Sequence, residues 1–427
     1  MEKQPARSPC LQSVVRLLVP MMVMGLKERA NRSKHMATWR QTLTTTASRI
    51  EARIDEAVFR FKLRRGRIGP LLIQPYRGHG TPSKLFLHGR VLEDKHITGA
   101  TETASAWKNI RDMVQRFNST EIPHARLRVR FEDQVFEAQT NQEGYFNLEI
   151  EPRTPLALDK VWHEVELTLV APLTRPEPVQ APGHVLVPPP QATFGVISDI
   201  DDTVVQTGAQ DPLTMARIVV LNNPHTRVPF EGVAAFYQAL RKGASGHGYN
   251  PIFYVSSSPW NLYDLLIDFL NINGIPLGPL FLRDVGLEAD RVIKTGHLEH
   301  KLKQIRTILE THASLPFVLI GDSGQEDPEI YKEVVRAFPG RIKAIYIRDV
   351  TLEARGRSIR TIIDELRGSN VEMVLTGDTM AAAEHALQHG LIAAAELPAI
   401  RAKQAEDQQD PSIVEQLPGI GSATTDA

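Results

Sequence analysis

The sequence predicts an α/β protein in which a parallel sheet with helices on both faces follows a small β-sandwich-like domain. From Phe194 onwards, short apolar runs alternate regularly with helical segments, which is typical of a parallel sheet. Between Gly69 and Ala171, short alternating segments are punctuated by Gly, Pro, Asn and Asp, which indicates strands with little helix between them. In the run FGVISDIDDTVVQTGA, residues 194–209, three carboxylates follow a short buried strand.

The composition is that of an ordinary globular protein. The 427 residues are 42% hydrophobic and 23% charged, which suits two or three domains. The formal net charge of -1 gives no global attraction to nucleic acid, so no nucleic-acid partner is expected. A single cysteine, Cys10, excludes an intramolecular disulfide and a cysteine-based zinc site. We therefore expect a cytoplasmic protein, and its oligomeric state is left open.

The N-terminal residues divide into a leader and a helix. Residues 1–35 contain an apolar run interrupted by Arg16 and Pro20, too short and broken for a membrane span. A disordered leader is the favoured interpretation, with an amphipathic surface helix and a targeting segment as alternatives. Residues 36–68 carry apolar side chains at helical spacing and are predicted to form a helix whose apolar stripe packs in a core.

Residues 69–171 are predicted to form the β-sandwich-like domain. In the segment ARLRVRF, arginines alternate with apolar residues, which indicates one buried and one solvated face. The arginines are Arg126, Arg128 and Arg130. They form either a solvated outer face, which we favour, or a surface for a polyanion or lipid headgroup.

Three further ranges complete the organisation. Residues 172–193 are proline-rich and are predicted to be a semi-rigid linker. Residues 194–400 are predicted to be the catalytic domain, and the polar residues 401–427 a disordered tail. The stretch from Thr207 to Pro229 has few periodic signals and is interpreted as a short lid over the site.

The first chemical motif is the group Asp199, Asp201 and Asp202. Crowded carboxylates repel each other, so a fold buries them only with a cation or a shared proton. A solvated acidic turn is the alternative interpretation. The spacing Asp-x-Asp-x-Thr after FGVIS resembles the first motif of the haloacid dehalogenase phosphatase superfamily. The resemblance implies that Asp199 is the nucleophile, Asp201 the general acid/base and Mg2+ the cofactor, with Asp202 structural.

The second motif candidate is the serine-rich turn in FYVSSSPWN. A hydroxyl at a strand end, with neighbouring backbone N–H groups, can hydrogen-bond phosphoryl oxygens. Ser256 follows the apolar run directly and best matches the superfamily, with Ser257 and Ser258 as alternatives. Ser258 is also a candidate N-cap of a helix that begins near Pro259.

The third motif implied by the resemblance is a lysine that pairs with the nucleophile and the phosphate. Lys301, near the start of a predicted helix, is the candidate. Lys294 and Lys303 are rivals, and a lone lysine is more often a surface residue.

The fourth motif is LIGDSGQED, in which Asp322 follows an apolar run and Asp327 comes five residues later. The resemblance implies that Asp322 completes the Mg2+ shell that Asp199 and Asp201 begin, and that Asp327 supports it. An acidic loop that caps the helix beginning near Pro328 is the alternative. Acidic motifs at two separate strand ends favour a metal site more than either motif alone.

The segments DIDDTV, VSSSPWNLYD, HKLKQI and IGDSGQEDPEIY together resemble the catalytic domain of the fungal actin-patch-protein type phosphatidate phosphatases and their bacterial relatives. The resemblance covers about Phe194 to Val350. It implies Mg2+-dependent removal of phosphate from phosphatidate, which gives diacylglycerol. Ser257 stands where the resemblance leads us to expect Asn, a difference that leaves the nucleophile intact.

Two other functions compete with this one. A phosphatase on a soluble phosphate ester or a nucleic-acid end is an alternative, because the core chemistry is indifferent to the leaving group. A non-catalytic scaffold is the third hypothesis, and the intact acidic and lysine motifs oppose it. A lipid substrate implies peripheral membrane contact, for which the arginine-bearing strand, the apolar leader and the segment 207–229 are candidates.

Overall fold

The computed structural model describes residues 68–94, 121–200, 203, 230–283, 295–350 and 353–409. The chain divides into two units, Met1–Lys62 and Leu63–Ala427, and the described residues all belong to the second. The predictions of a leader over 1–35 and of a lid over 207–229 lie outside these residues, as does the helix predicted over 36–68 except for its last residue.

The N-terminal part of the described chain is a sheet of eight strands. They are β1 (Leu71–Pro75), β2 (Gly78–Thr81), β3 (Lys84–Glu93), β4 (Arg126–Phe131), β5 (Gln134–Gln139), β6 (Tyr145–Ile150), β7 (Trp162–Ala171) and β8 (Gln180–Leu186). Their order is β1-β3-β2-β8-β7-β4-β5, and β6 pairs with β3. The β2–β8 pair is parallel and the other pairs are antiparallel. The strands form one hydrogen-bonded network, and a sandwich-like packing of its parts stays a prediction.

Strand β4 has the alternation that its sequence predicts. Its three arginines are exposed and the apolar residues between them are buried. The guanidinium of Arg130 donates to Glu166 on the neighbouring strand, with 2.9 Å between Nε and Oε2. This exposed face is therefore less basic than its sequence suggests, which agrees with a solvated outer surface.

The prediction that residues 172–193 form a linker is wrong for its central part. Strand β8 lies within this range and pairs with β7 along its whole length. Proline lacks the backbone donor that a central strand needs at every position. Pro182 lies opposite Glu166 of β7, whereas the pairing with β2 involves only Val185 and Leu186 of β8. The missing N–H therefore costs no hydrogen bond to a second neighbour.

The C-terminal part is a six-stranded parallel sheet, which confirms the predicted α/β class. Its strands are β9 (Gly195–Ser198), β10 (Ile252–Pro259), β11 (Leu280–Arg283), β12 (Phe317–Asp322), β13 (Ile342–Arg348) and β14 (Glu372–Thr376). Their order is β11-β10-β9-β12-β13-β14, with every pair parallel. The α-helices of the described residues are α1 (Val233–Lys242), α2 (Tyr263–Ile272), α3 (Thr295–Thr311), α4 (Asp327–Ala337), α5 (Glu353–Leu366), α6 (Thr379–Gln388) and α7 (Leu397–Gln409).

Helices cover both faces of the parallel sheet. Successive residues of a strand point to opposite faces, so each buried strand contributes to two cores. In β9, Val196 packs in the core formed with α1, α2, α6 and α7, whereas Ile197 packs in the core formed with α3, α4 and α5. A strand buried on both faces explains why this sequence reads as a continuous apolar run rather than an alternation.

The strand order reverses at β9. The chain passes from β9 outward to β10 and β11, and then returns to the other side of β9 as β12. In open α/β sheets, ligands bind beyond the carboxyl ends of the strands at such a reversal. The crevice beyond β9 and β12 is therefore where the fold favours a site.

The predicted boundary between the catalytic domain and a tail, at residues 400 and 401, is also wrong. Helix α7 continues to Gln409, with Ile400 fully buried. The carboxylate of Asp407 accepts a hydrogen bond from the backbone N–H of Gly232 at the start of α1, at 2.8 Å. The polar composition resembles a tail because only one side of this helix contacts the protein. Residues 410–427 lie outside the described part.

The two sheets contact each other next to the segment that follows β10. The ring of Tyr76 stacks on Trp260, with 4.3 Å between their centroids. The Arg90 side chain is buried, and its Nη1 donates to Oδ1 of Asn261 at 2.9 Å. Trp260 and Asn261 come directly after the serine-rich stretch, so the first sheet supports the segment that carries this motif.

A second contact between the two parts is a buried pair of histidines. Nδ1 of His79, on β2, lies 3.3 Å from Nε2 of His312, just after α3. Burial lowers the pKa of His79 to about 4. Burial, with the nearby His79 and Arg341, lowers the pKa of His312 to about 3. Both rings are therefore neutral in the folded protein at neutral pH.

This pair predicts a loss of stability in mild acid. Both folded-state pKa values lie below the ordinary value of 6.5, so the unfolded chain binds more protons between pH 6.5 and 4. The stabilisation is complete above pH 6.5 and is lost as the pH falls toward 4, by up to about 3 kcal/mol for each histidine. Urea unfolding at a series of pH values measures this slope.

The matched comparison uses a variant without the titrating rings. The double variant H79Q/H312Q should have a smaller decrease in the free energy of unfolding between pH 6.5 and 4. His247 is exposed, so H247Q should keep the wild-type slope. An identical slope in the double variant and the wild type would contradict the assignment.

Candidate active site

Asp199 lies directly after β9, at the carboxyl edge of the parallel sheet, and its side chain is 1% exposed. Its backbone N–H donates to the carbonyl of Ile320 on β12, at 2.9 Å. The preceding Ser198 shares a hydrogen bond of 2.7 Å with the hydroxyl of Tyr237. Burial raises the pKa of Tyr237 above its ordinary value, so this hydroxyl stays protonated. The backbone that carries Asp199 is therefore fixed from both sides.

Lys301 extends from α3 into the same crevice and is 3% exposed. Its Nζ lies 3.0 Å from Oδ1 of Asp199 and 2.7 Å from Oδ1 of Asp327. Burial alone would lower the pKa of Lys301, but Asp199, Asp327 and Asp322 raise it above the ordinary value. The ammonium group is therefore charged at neutral pH. Lys303 is exposed, and Lys294 lies outside the described residues.

Asp322 ends β12, and Asp327 is the first residue of α4. The backbone N–H groups of Gly324 and Gln325 donate to Oδ1 of Asp322, at 2.6 and 2.9 Å. The backbone N–H of Asp322 donates to Oδ2 of Asp327, at 3.2 Å. Asp327 therefore binds Lys301 and the strand end, and no side chain caps α4 at Glu326. The helix-capping alternative does not describe this loop.

The carboxylates of Asp199, Asp322 and Asp327 form one buried cluster. Each offers an oxygen atom, and these oxygens all lie within 4.8 Å of one another. Among the residues that the structure describes here, Lys301 supplies one positive charge and the three carboxylates supply three negative charges. A cation would offset the remaining repulsion, and an all-oxygen donor set is the one that Mg2+ prefers. The residues present therefore fit a magnesium ion, although the roles of the individual residues stay predictions.

Ser256 is fully buried and lies on β10, which pairs with β9 on the side opposite to β12. Tyr254 pairs with Ser198, so Ser256 lies two residues further, at the same edge as Asp199. Its Oγ accepts a hydrogen bond from the backbone N–H of Ser258, at 2.9 Å. The three serines lie within β10 rather than in a turn, and the phosphate-binding role of Ser256 stays a prediction.

The alternative role of Ser258 as a helix N-cap is wrong. A short 3-10 helix, Trp260–Leu262, follows β10, and its N-cap is Pro259. Helix α2 begins only at Tyr263, without a side-chain cap at Leu262. The 3-10 helix therefore stands where the α-helix was predicted to begin.

The remaining residues of the first motif are only partly described. Thr203 is buried, with 2% exposure. Asp201 and Asp202 lie outside the described residues, so the predicted acid/base and metal roles of Asp201 stay predictions.

Comparison with known protein families shows what the segment that carries these residues is similar to. Residues 194–349 match the family model described as "Phosphatidate phosphatase APP1, catalytic domain". Over this segment the chain is similar to the catalytic domain of that phosphatase family. The segment contains both acidic motifs, the serine-rich stretch and Lys301.

Relatives extend the similarity beyond the APP1-type segment. Phosphatidate phosphatase APP1 of Saccharomyces cerevisiae is 30% identical over 251 residues, which covers 56% of this chain and 40% of the yeast protein. An uncharacterized protein of Schizosaccharomyces pombe is 30% identical over 227 residues, or 52% of this chain and 36% of that protein. The chain thus spans less than half the length of these relatives. The solved structure of XAC1771, a carbohydrate acetylesterase from Xanthomonas citri, is 11% identical over 70% of this chain and 66% of its own. A TM-score of 0.23 is too low to indicate a shared fold.

Two residues of the APP1-type site were missed by the sequence reasoning. Gln325 accepts a hydrogen bond from Lys301 at 3.2 Å, and its Nε2 donates to Oδ2 of Asp199 at 3.4 Å. The guanidinium of Arg355 donates to the carbonyls of Ser323 and Gln325, at 3.1 and 2.7 Å. Gln325 lies between the two aspartates of the fourth motif, and this position in the sequence could have indicated that its side chain contacts the site. Arg355 comes from α5, and nothing in its sequence context indicates the contact.

Gly321 is required by the close approach of the Asp327 side chain. A Cβ atom at this position would lie 2.5 Å from Oδ2 and 2.7 Å from Cβ of Asp327. G321A should therefore displace Asp327 from Lys301 and lower the free energy of unfolding by about 1–3 kcal/mol. We also expect G321A to have a lower kcat, which is measured as the rate of phosphate release.

Gly356 provides the matched control within helix α5. A Cβ atom there would meet nothing within 4 Å. G356A should keep wild-type activity and be neutral or slightly more stable, because Ala favours a helix over Gly by about 0.5–1 kcal/mol. Equal activity of G321A and G356A would show that Asp327 tolerates the added methyl group.

Proposed function

We propose that this protein is a Mg2+-dependent phosphatase of the haloacid dehalogenase type that hydrolyses phosphatidate to diacylglycerol and phosphate. One observation supports it most strongly. Asp199 and Lys301 form a buried ion pair, 3.0 Å apart, beside Asp322 and Asp327 at the carboxyl edge of the sheet. This pair lies in the segment that matches the phosphatidate phosphatase catalytic domain.

In this proposal, Asp199, Asp322 and Asp327, with Asp201 from the neighbouring undescribed segment, would hold the magnesium ion. The bound ion would supply positive charge that offsets the repulsion between the carboxylates and the substrate phosphate. The structural support is the donor set, because three buried carboxylates within 4.8 Å of one another present only oxygen atoms.

The first chemical step is attack by a carboxylate oxygen of Asp199 on phosphorus. A bond forms between this oxygen and phosphorus as the bond from phosphorus to the ester oxygen breaks. Asp201 gives its proton to the leaving oxygen, which departs as the hydroxyl of diacylglycerol. The product on the enzyme is an aspartyl-phosphate.

The second step returns Asp199 to its carboxylate form. Asp201 accepts a proton from a water molecule whose oxygen forms a bond to phosphorus, as the bond from phosphorus to the Asp199 oxygen breaks and inorganic phosphate leaves. Lys301 holds Asp199 in place and offsets negative charge on the transferring group. The hydroxyl of Ser256 would donate a hydrogen bond to a phosphoryl oxygen.

The lipid substrate requires that the enzyme work at a membrane surface. None of the helices in the described ranges combines the length and apolar character needed to cross a membrane. A peripheral protein binds through apolar insertion, attraction to anionic headgroups, or both. The exposed arginines of β4 are one candidate surface, although Glu166 offsets the charge of Arg130.

The deciding experiment compares substrates with the full chain. Phosphate release is measured from long-chain phosphatidate in mixed micelles and from glycerol 3-phosphate in solution, each with Mg2+ and with EDTA. We expect turnover of phosphatidate that depends on Mg2+, and little turnover of the soluble ester. Binding to anionic vesicles should weaken as the salt concentration rises.

Each of three results would contradict a different part of the proposal. Equal activity in EDTA and Mg2+ would exclude the metal-dependent mechanism. Equal turnover of both substrates, without vesicle binding at any salt concentration, would favour a soluble phosphate ester. No turnover of any phosphomonoester would favour the scaffold.

A further inference from the structure

A second group of metal-binding side chains lies outside the proposed active site. Glu372 begins β14, the edge strand of the parallel sheet, and His385 lies in α6. His389 is the residue that follows the last turn of α6. The carboxylate of Glu372 is 65% exposed, so an ion can reach the cluster from solvent.

The three side chains converge on one point. His385 and His389 are four residues apart, so their rings lie on the same side of the helix, stacked with 4.0 Å between centroids. Nε2 of His385 lies 2.7 Å from Oε2 of Glu372, and Nε2 of His389 lies 3.6 Å from the same oxygen. The three ligand atoms all lie within 4.8 Å of one another.

The other ring nitrogen of each histidine is already occupied. Nδ1 of His389 lies 2.9 Å from the carbonyl oxygen of His385. A carbonyl oxygen only accepts, so this Nδ1 carries the proton, and Nε2 of the neutral ring offers its lone pair to the cluster. Nδ1 of His385 forms a hydrogen bond of 3.1 Å with the hydroxyl of Tyr346 on β13. Histidines that bind metals characteristically have their second ring nitrogen held in this way.

We propose that Glu372, His385 and His389 form a metal site that takes a transition-metal dication of the Zn2+ class. Two imidazole nitrogens and one carboxylate are a usual protein ligand set for Zn2+. Mg2+ prefers oxygen ligands and is expected at the aspartate cluster instead. The chemistry of the two ligand sets therefore separates the two ions.

An ion at this position would join the start of β14 to the end of α6. These two elements follow each other in the chain. The hydroxyl of Tyr346 links His385 to the adjacent strand β13. Because the site exists only in the folded protein, ion binding would stabilise the folded state. Three protein ligands leave a fourth tetrahedral position for water.

The test uses the full chain without a polyhistidine tag. Zn2+ binding is measured by titration calorimetry and by the change in Tm, in buffer with excess Mg2+ that competes for the aspartate cluster. We expect one bound Zn2+ and a higher Tm. E372Q and H389Q should each lose most of this affinity, and Co2+ in place of Zn2+ should give the visible absorption of a tetrahedral site.

Tyr346 provides a test of the positioning role. Y346F keeps the ring but removes the hydroxyl, and we expect Zn2+ affinity to fall roughly tenfold. The exposed His247 provides the control, since H247Q should bind Zn2+ as the wild type does.

The measurements do not depend on phosphatase activity, so they stand apart from the proposed function. Unchanged Zn2+ affinity in both E372Q and H389Q would place the ion elsewhere and overturn the proposal. The absence of Zn2+ binding to the wild type would also overturn it, and would leave the cluster as a hydrogen-bonded Glu372–His385 pair.

Discussion

D199N should abolish phosphate release, with a loss of at least about 10^4-fold in kcat. An amide lacks the negative charge and the nucleophilicity that attack on phosphorus requires. The shape of the side chain is unchanged, and Lys301 keeps its contact of 2.7 Å with Asp327. We expect the free energy of unfolding to stay near the wild-type value, because the lost ion pair is offset by weaker repulsion within the cluster.

Mass spectrometry of the acid-quenched enzyme provides a second measurement. A phosphoryl group should appear on the peptide that contains Asp199 in the wild type and be absent in D199N. Asp364 is an exposed aspartate on α5, so D364N is the control and should keep full activity. Activity of D199N within tenfold of the wild type would rule out Asp199 as the nucleophile.

K301M should lower both activity and stability. Removal of the ammonium group leaves Asp199 and Asp327 buried without their common ion-pair partner. Breaking a buried pair from one side costs about 3–5 kcal/mol, because a charge is left uncompensated. Denaturant unfolding at neutral pH, together with kcat for phosphate release, measures the two effects.

The pH dependence of K301M separates charge from packing. Without Lys301, the buried carboxylates repel each other, and a proton that neutralises one of them at acid pH relieves this repulsion in the folded state. The stability deficit of K301M relative to the wild type should therefore shrink toward acid pH. Lys303 is exposed on the same helix, so K303M should match the wild type at every pH. A deficit that does not change with pH would indicate lost packing.

The choice among three lysines illustrates what the sequence could establish. It predicted that a lysine would accompany the aspartates, and it favoured Lys301 without excluding Lys294 or Lys303. Along α3, residues two positions apart point to different sides, so Lys301 is buried while Lys303 is exposed. The sequence gives the spacing, but only the packing of α3 on the sheet decides which side faces the crevice.

The misjudged elements share a different cause. Strand β8 contains proline and α7 is highly polar, so local composition favoured a linker and a tail. Both elements are fixed by long-range contacts, with β7 in one case and with Gly232 in the other. Such contacts leave little trace in local composition. The same is true of Gln325 and Arg355, whose roles depend on the loop that they bind.

The Tyr76–Trp260 stack and the pairing of β13 with β14 bear on how the protein can be cut for expression. A chain trimmed to residues 194–349 would keep the acidic motifs, Ser256 and Lys301 but lose both of these contacts. Its β13 would become an open edge with unpaired backbone groups, and elsewhere Trp260 would lose its stacking partner. Open edges and exposed aromatic surfaces promote self-association. A minimal fragment for expression should therefore run from residue 63 to residue 409, well beyond the segment that matches the family model.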